Sequence, residues 1–280
     1  MIDLGKWNEL PIVRFTDHGA YLDGGETGEI LMPRQYVSPA MHPGDVVRVF
    51  VYLDQAERLV ATTEQPLAQV GDFACLRVAW VNQYGAFLHW GLVKDLFVPF
   101  GEQKRRMELG HDYVVHVHVD PESRRIVGSA KIEHYLDSHP PLYPRGTEVD
   151  ALIWQRTPLG FKAVVDNRYG GLIYGDRNYA DLRVGDRVRA YVVQVRPDGK
   201  LDLSAEPLGT ARFRDFAETL RQELREAGGF LPFTDKSDAD AIADRFGVSK
   251  KTFKRAVGTL YKDRVIRIEP DGIALTGQKK

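Results

Sequence analysis

The chain has 280 residues, a formal net charge of −1 and 43% apolar residues, which suits a folded protein of about two to four domains and argues against intrinsic disorder. No apolar run is long enough to span a bilayer, and the N-terminus, MIDLGKWNEL, lacks the basic start and apolar stretch of a secretory leader, so a cytoplasmic location without membrane contact is expected. The single cysteine, Cys75, excludes an internal disulfide and a thiolate zinc site, and it reads as core filling in a reducing compartment.

Charge is unevenly spread. Lys and Arg minus Asp and Glu comes to −5 over residues 1–65, −1 over 66–137, +1 over 138–207 and +4 over 208–280, so positive potential gathers towards the C-terminus. Self-comparison explains the first three segments. Gly19-Ala20-Tyr21-Leu22 recurs 66 residues on as Gly85-Ala86-Phe87-Leu88, and the same offset carries Pro33 to Pro99 and Gly44 to Gly110. An offset of 75 takes Gly85 to Gly160, Gly71 to Gly146 and Gly110 to Gly185, with a one-residue slip expected near Leu172. A unit of about 70 residues is therefore present three times.

Within each unit the pattern alternates with period two and is rich in β-branched and aromatic residues, as in Val46 to Tyr52, Tyr113 to Val119 and Val188 to Val195. These are predicted strands, each introduced by a glycine turn. Five short strands in about 70 residues suit a small closed barrel of the oligonucleotide-binding (OB) type; a β-sandwich would need a longer run. Trp80, Trp90 and Trp154 lie in or beside strands and are assigned to the core, with Trp90 the first candidate for an exception. His116 and His118 share one strand face at metal-ligand spacing, but no third ligand lies nearby, so a solvated face is predicted and no metal or cofactor is expected.

Past Pro207 the period changes to that of helices. Phe213, Phe216, Ala217, Leu220 and Leu224 form a stripe ending at Gly228-Gly229. Ser237, three before Asp240, marks a helix start ahead of Ala239, Ile242, Ala243 and Phe246, with a stop at Gly247. Ser249 is expected to cap the next helix, which buries Phe253, Ala256, Val257 and Leu260 and turns Lys250, Lys251, Lys254, Arg255 and Lys262 outwards with no acid along it. Two strands, Val265 to Ile268 and Ile273 to Leu275, close through Pro270-Asp271-Gly272. Helix, turn, basic helix and β-wing are the order of a winged helix-turn-helix. The predicted fold is thus mainly β with a small α/β C-terminal domain: OB barrels at 1–65, 66–137 and 138–207, and a winged helix at 208–280. No apolar stripe is left unexplained, so a monomer is expected.

These residues carry a resemblance. The second unit, Val70-Gly71-Asp72 through Tyr84-Gly85-Ala86-Phe87 to Gly110, Asp120-Pro121 and Ser129, resembles the ribosomal-protein S1-type RNA-binding domain, as does the third, from Gly185-Asp186 to Leu203-Ser204. The first is more distant; its Gly28-Glu29-Ile30-Leu31-Met32-Pro33-Arg34 and Val49-Phe50-Val51-Tyr52-Leu53-Asp54 resemble the opening unit of the conserved virulence factor B (CvfB) family of bacterial RNA-binding proteins. Asp235-Lys236-Ser237-Asp238, Ser249-Lys250-Lys251-Thr252-Phe253-Lys254 and Gly258-Thr259-Leu260-Tyr261-Lys262 are similar to that family's C-terminal signature.

The S1-type resemblance implies a stacking pair flanking the glycine of the second strand, a histidine on the third, and an acid and a base near the last turn. In the second unit these are Tyr84 and Phe87, with Val98 in the histidine's place, then Asp120 and Arg125. The first unit offers His18 and Tyr21, Met32, Asp54 and Arg58; the third has Leu159 and Lys162, Tyr174, Arg196 and Lys200, a set suited to gripping backbone. A competing reading has one ring of each pair plugging the barrel. The implied function is binding of single-stranded RNA by these residues together with Lys250, Lys251, Lys254, Arg255 and Lys262, in post-transcriptional regulation and without catalysis or a small-molecule substrate. DNA is the alternative ligand, for a winged-helix transcription regulator with docking barrels, although the basic helix offers mainly Lys where base reading favours Arg, Asn or Gln. A nuclease would need converging carboxylates, and none stand at chemical spacing.

Overall fold

The computed structural model describes residues 2–174, 182–207 and 210–276, and the side chains of 210–215 lie outside the described set, Phe213 among them. Three closed five-stranded barrels follow one another. The first is built from β1 (Lys6–Thr16), β2 (Gly19–Asp23), β3 (Glu29–Pro33), β4 (Val46–Leu53) and β5 (Leu59–Thr62). The second has β6 (Phe73–Val81), β7 (Gly85–His89), β8 (Leu96–Pro99), β9 (Asp112–Val119) and β10 (Ile126–Ser129). The third has β11 (Glu148–Thr157), β12 (Gly160–Val165), β13 (Tyr169–Tyr174), β14 (Arg187–Val195) and β15 (Leu201–Ser204). In each, the third strand runs parallel to the fifth while other neighbours are antiparallel, giving the OB order first-second-third-fifth-fourth. Closure leaves no free edge to template pairing with another chain.

The second strand of each barrel opens on glycine because its partner strand passes close by. A Cβ at Gly85 would lie 2.3 Å from the Val98 carbonyl oxygen, and one at Gly19 2.1 Å from that of Met32. Register then corrects two sequence expectations. Gly19 pairs with Pro33, Gly85 with Pro99 and Gly160 with Tyr174. The offset of 75 therefore holds through the third strand with no slip, and Tyr174 stands where Pro99 and Pro33 stand. Val98 and Met32, expected in the histidine's place, are fully buried core residues.

Barrels one and two share a core. Val49 and Val51 of β4 point into the first barrel, whereas Phe50 and Tyr52, on its other face, pack with Trp90, Leu92 and Leu96 of the second. Burial of both faces from Val49 to Tyr52 explains why this part of the strand carries no charged residue. Trp90 is accordingly interior, its ring 6.0 Å from that of Phe50 and its N–H donated to the Lys94 carbonyl, so it is no exception to the core assignment. Barrels two and three join through Phe73, Val114, Ile132, Leu152, Trp154 and Val164, with Cys75 half-buried against them and its thiol pushed up by burial to about 11. Asn167 clamps this joint: its side-chain oxygen accepts from the Phe73 N–H at 2.8 Å and its amide donates to Asp72.

His116 is not on a solvated face. It is buried between the rings of Phe73 and Tyr135, 4.7 and 4.1 Å away, with His118 5.9 Å distant. The Nδ1 atoms of both histidines are buried without a partner. Burial, with the neighbouring His118, pushes His116 down to about 4.

The C-terminal helices fall in a separate compact unit. It contains α1 (Thr210–Glu226), β16 (Phe230–Leu231), α2 (Ala239–Phe246), α3 (Lys250–Lys262), β17 (Ile266–Glu269) and β18 (Gly272–Leu275). The expected wing strands are present, and β16 joins them as an unanticipated third, too short for a period-two signal, in the order β16-β18-β17. Asp238, not Ser237, caps α2 by accepting from the Ala239 N–H, while the Ser237 hydroxyl accepts from Thr234. Of the expected α2 stripe, Ile242 is buried and Phe246 half-buried, but Ala239 and Ala243 face solvent. Ser249 caps α3 as expected. No helix of the described residues is long and apolar enough to cross a membrane.

Candidate nucleic-acid interface

A bulge between Val78 and Trp80 shifts the β6–β7 register, so Trp80 lies opposite Phe87, which in turn lies opposite Phe97 on β8. The three side chains make a row of rings across adjacent strands. Trp80 and Phe87 stack face to face, 3.6 Å apart and 2° from parallel, and Phe97 follows at 4.8 Å. Trp80, expected in the core, is instead 45% exposed, its indole N–H donated to Asp95 at 2.9 Å. Tyr84 sits in the β6–β7 turn, where the Asn82 side chain accepts from the Tyr84 and Gly85 N–H groups and holds the phenol outwards, 65% exposed. These rings, with Lys94 and Arg125, line a groove of about 770 Å³.

The same strand positions differ in the other barrels. The first has the same bulge, but it brings Arg14 opposite Tyr21, and the guanidinium lies 4.1 Å over the phenol ring while bridging Glu29 at 2.6 Å. The third brings Gln155 opposite Lys162, whose ammonium is bonded to Glu133 at 2.6 Å and lies 5.1 Å from the Trp154 ring. Glu133 also accepts from Lys104, and these two hydrogen bonds hold its carboxyl at about 2.

Most of the predicted charged contacts are committed within the chain. The Asp120 carboxylate accepts from the Ser123 and Glu122 N–H groups in its own turn, which lowers its pKa. Arg125 pairs with Glu57 of the first barrel, and Asp54 pairs with Arg58 at 2.8 Å. Arg196 bonds Asp202 and, at 2.7 Å, the Tyr174 hydroxyl; Lys200 bonds Asp198 at 2.8 Å. Burial works against the Asp202 carboxylate, but hydrogen bonds from Arg196 and Gln194 outweigh it and keep it below the usual range.

Two cations escaped the sequence reading. Arg105 and Arg106 follow β8 and, among the described residues, neither has a carboxylate partner. Arg106 lies 3.4 Å over the ring of Phe100, whose backbone N–H donates to the Tyr84 carbonyl, and Arg105 lies 5.7 Å from the Tyr113 ring of β9. Three consecutive cations, Lys104-Arg105-Arg106, were the available signal. In Trp80's case it was the repeat itself: the 66- and 75-residue offsets align Arg14, Trp80 and Gln155 just as they align Tyr21, Phe87 and Lys162.

On α3, Lys251, Lys254, Arg255 and Lys262 are exposed and Lys250 is half-buried. The helix carries no acid, but Asp235 from the loop between β16 and α2 lies 3.5 Å from Lys254, so the cationic face is partly countered. Among the described residues no group of three or more His, Cys, Asp or Glu could hold a metal.

Comparison with known proteins agrees with this architecture. Residues 218–275 match the family described as CvfB-like winged helix domain, and residues 4–64 match the S1 domain family. The latter is the unit read from sequence as the most divergent. The protein YitL of Bacillus subtilis is 29% identical over 268 residues, covering 92% of this chain and 89% of YitL. Conserved virulence factor B of Staphylococcus aureus (strain USA300) is 27% identical over 240 residues, 83% of this chain and 80% of its own. A crystal structure of a multidomain protein with nucleic acid binding domains from Streptococcus pneumoniae aligns over 97% of this chain at 24% identity with a TM-score of 0.43. The chain thus joins S1-type barrels to a CvfB-like winged helix domain, and its resemblance to the conserved virulence factor B family extends over most of its length.

Proposed function

We propose that the protein is a non-catalytic, monomeric regulator that binds single-stranded RNA in the cytoplasm, with the second barrel as its principal contact and the winged helix adding charge attraction. The S1 and winged helix domains support nucleic-acid binding in general terms. The observation that carries the finer reading is the aromatic surface of Trp80, Tyr84, Phe87 and Phe97 in a barrel that also carries the exposed Arg105 and Arg106, which among the described residues have no carboxylate partner. Exposed rings next to free cations are what single strands require, since any base can stack and any phosphate can be neutralised. A duplex keeps its bases stacked on each other and offers such rings nothing. RNA has stronger claim than DNA through the S1-type resemblance.

The test is competition for the full-length chain among single-stranded RNA, single-stranded DNA and duplex DNA of the same length. Preference for the single-stranded RNA is expected. Preference for the duplex would replace this reading with that of a winged-helix transcription regulator, for which the outward lysines of α3 are the supporting feature. RNA that shortens during incubation, at a rate tracking the purified protein, would overturn the non-catalytic part.

A further inference from the structure

The S1-type resemblance assigns base stacking in the second barrel to Tyr84 and Phe87. The geometry around Phe87 does not favour that. One of its faces is covered by Trp80 at 3.6 Å, and Phe97 closes on it from the neighbouring strand. A ring flanked on both sides offers a base no face to stack on. Resting on the reading of single-strand binding just given, we propose that a nucleobase instead stacks on the outer face of Trp80, with Phe87 and Phe97 as the supports that hold the indole upright.

Three observations bear on this. First, the β6–β9 ladder ends at Arg77 opposite Asp112, so no β9 residue stands beside Trp80 on the side away from Phe87. Second, the indole is fixed by the bond from its N–H to Asp95 and by the parallel contact with Phe87. A preorganised platform forfeits little side-chain entropy on binding. Third, this tryptophan breaks with the other three: Trp90 and Trp154 are buried in the joints between barrels and Trp7 is half-buried, whereas Trp80 is exposed. A large apolar ring kept in water by two aromatic supports and a hydrogen bond is poorly explained as core. The equivalent positions carry no aromatic ring, Arg14 being held over Tyr21 by Glu29 and Gln155 having none, so the indole platform belongs to the second barrel.

Indole fluorescence reads this directly. With an oligouridylate of about twelve residues, long enough to cross one barrel, tryptophan emission of the wild type should fall on binding, and in Trp80→Phe the remaining three indoles should show no fall. Trp80→Ala should weaken binding about ten-fold, the effect of one stacked base, and Trp80→Phe should restore most of it. Because Phe preserves a ring on Phe87, that variant tests the proposal even if the alanine variant fails to fold. Unchanged quenching in Trp80→Phe, or wild-type affinity in a folded Trp80→Ala, overturns the stacking site and leaves RNA binding standing. If the wild type binds no oligonucleotide at all, the broader reading falls and this one with it.

Discussion

Arg125 of the second barrel is paired with Glu57 of the first, across the joint between them. Both side chains are about half exposed, so the pair is worth about 1 kcal/mol or less to stability. Its consequence for binding is larger, since a guanidinium already held by a carboxylate must be released before it can neutralise a phosphate. Arg125→Ala should therefore leave RNA affinity within about two-fold of wild type and the salt dependence almost unchanged. Anisotropy titrations at several salt concentrations measure both; a slope reduced by roughly 0.7, one whole phosphate on a single strand, would return Arg125 to the interface.

Arg105 and Arg106 make the opposite case. Stacking on Phe100 fixes the Arg106 plane without using its charge, and Phe100 is tied to Tyr84 through the backbone. Arg105→Ala/Arg106→Ala should flatten the salt slope by roughly 1.4 if each meets one phosphate. Thermal unfolding should stay near wild type, as neither residue is buried. The same slope in the double variant as in wild type would place the phosphates elsewhere.

In the winged helix the ion pair sorts the lysines. Lys254 is countered by Asp235 at 3.5 Å, whereas Lys251 is exposed on the same cationic helix. Lys250→Ala/Lys251→Ala is expected to weaken binding several-fold and flatten the slope by roughly 1.4. Lys254→Ala should do markedly less. Equal effects per lysine would show that Asp235 screens nothing.

Stability should fall in mild acid because of His116. Held at about 4 in the folded chain, against an ordinary value of 6.5, it stays neutral there while its unfolded counterpart takes up a proton. Between those two values the unfolded state binds more protons, so stability is complete above about pH 6.5, declines as pH drops towards 4 and levels off below. The whole effect is at most roughly 3 kcal/mol. Urea unfolding at pH 7 and pH 5 should show wild type losing stability and His116→Phe, which keeps a ring against Phe73 and Tyr135, losing much less. Glu133 does not confuse the measurement, since its contribution is lost only below about pH 4.5, its ordinary value. Identical losses in the two proteins would place the acid sensitivity elsewhere.

The repeat offsets made the three barrels legible, because a closed barrel needs glycine, strand and turn at the same places each time, and those requirements are written locally. The α3 face and its Ser249 cap were legible for the same reason. What escaped was non-local. His116 looked solvated because its strand alternation is that of a half-exposed face, and it is covered by Phe73 of the paired strand and by Tyr135 where the chain returns. Trp90 is core as assigned, buried by Phe50 from another barrel, but Trp80 is not: a bulge one residue long turns it outwards. The cations of the second and third barrels were found by type, but the neutralisation of Arg125 by Glu57 and of Lys162 by Glu133 depends on contacts that no short window of sequence contains, whereas the Lys200–Asp198 and Arg196–Asp202 pairs are local and could have been read.

Glu133 tests whether that neutralisation restrains binding. Its carboxylate accepts from Lys104 at 2.8 Å and Lys162 at 2.6 Å, and both ammonium groups lie beside the Trp154 ring, 4.6 and 5.1 Å away. Glu133→Gln removes the negative charge and leaves two lysines near each other with no counter-ion. The groups are substantially exposed, so water screens the repulsion and stability should fall by only about 1 kcal/mol or less. RNA affinity should rise, with a salt slope steeper by up to roughly 1.4 as two phosphates replace one carboxylate. Lys162→Ala in the Glu133→Gln background should then take back about half of the gain. If Glu133→Gln leaves affinity and slope as they were, Lys162 meets no phosphate, and the path of the RNA stops at the second barrel.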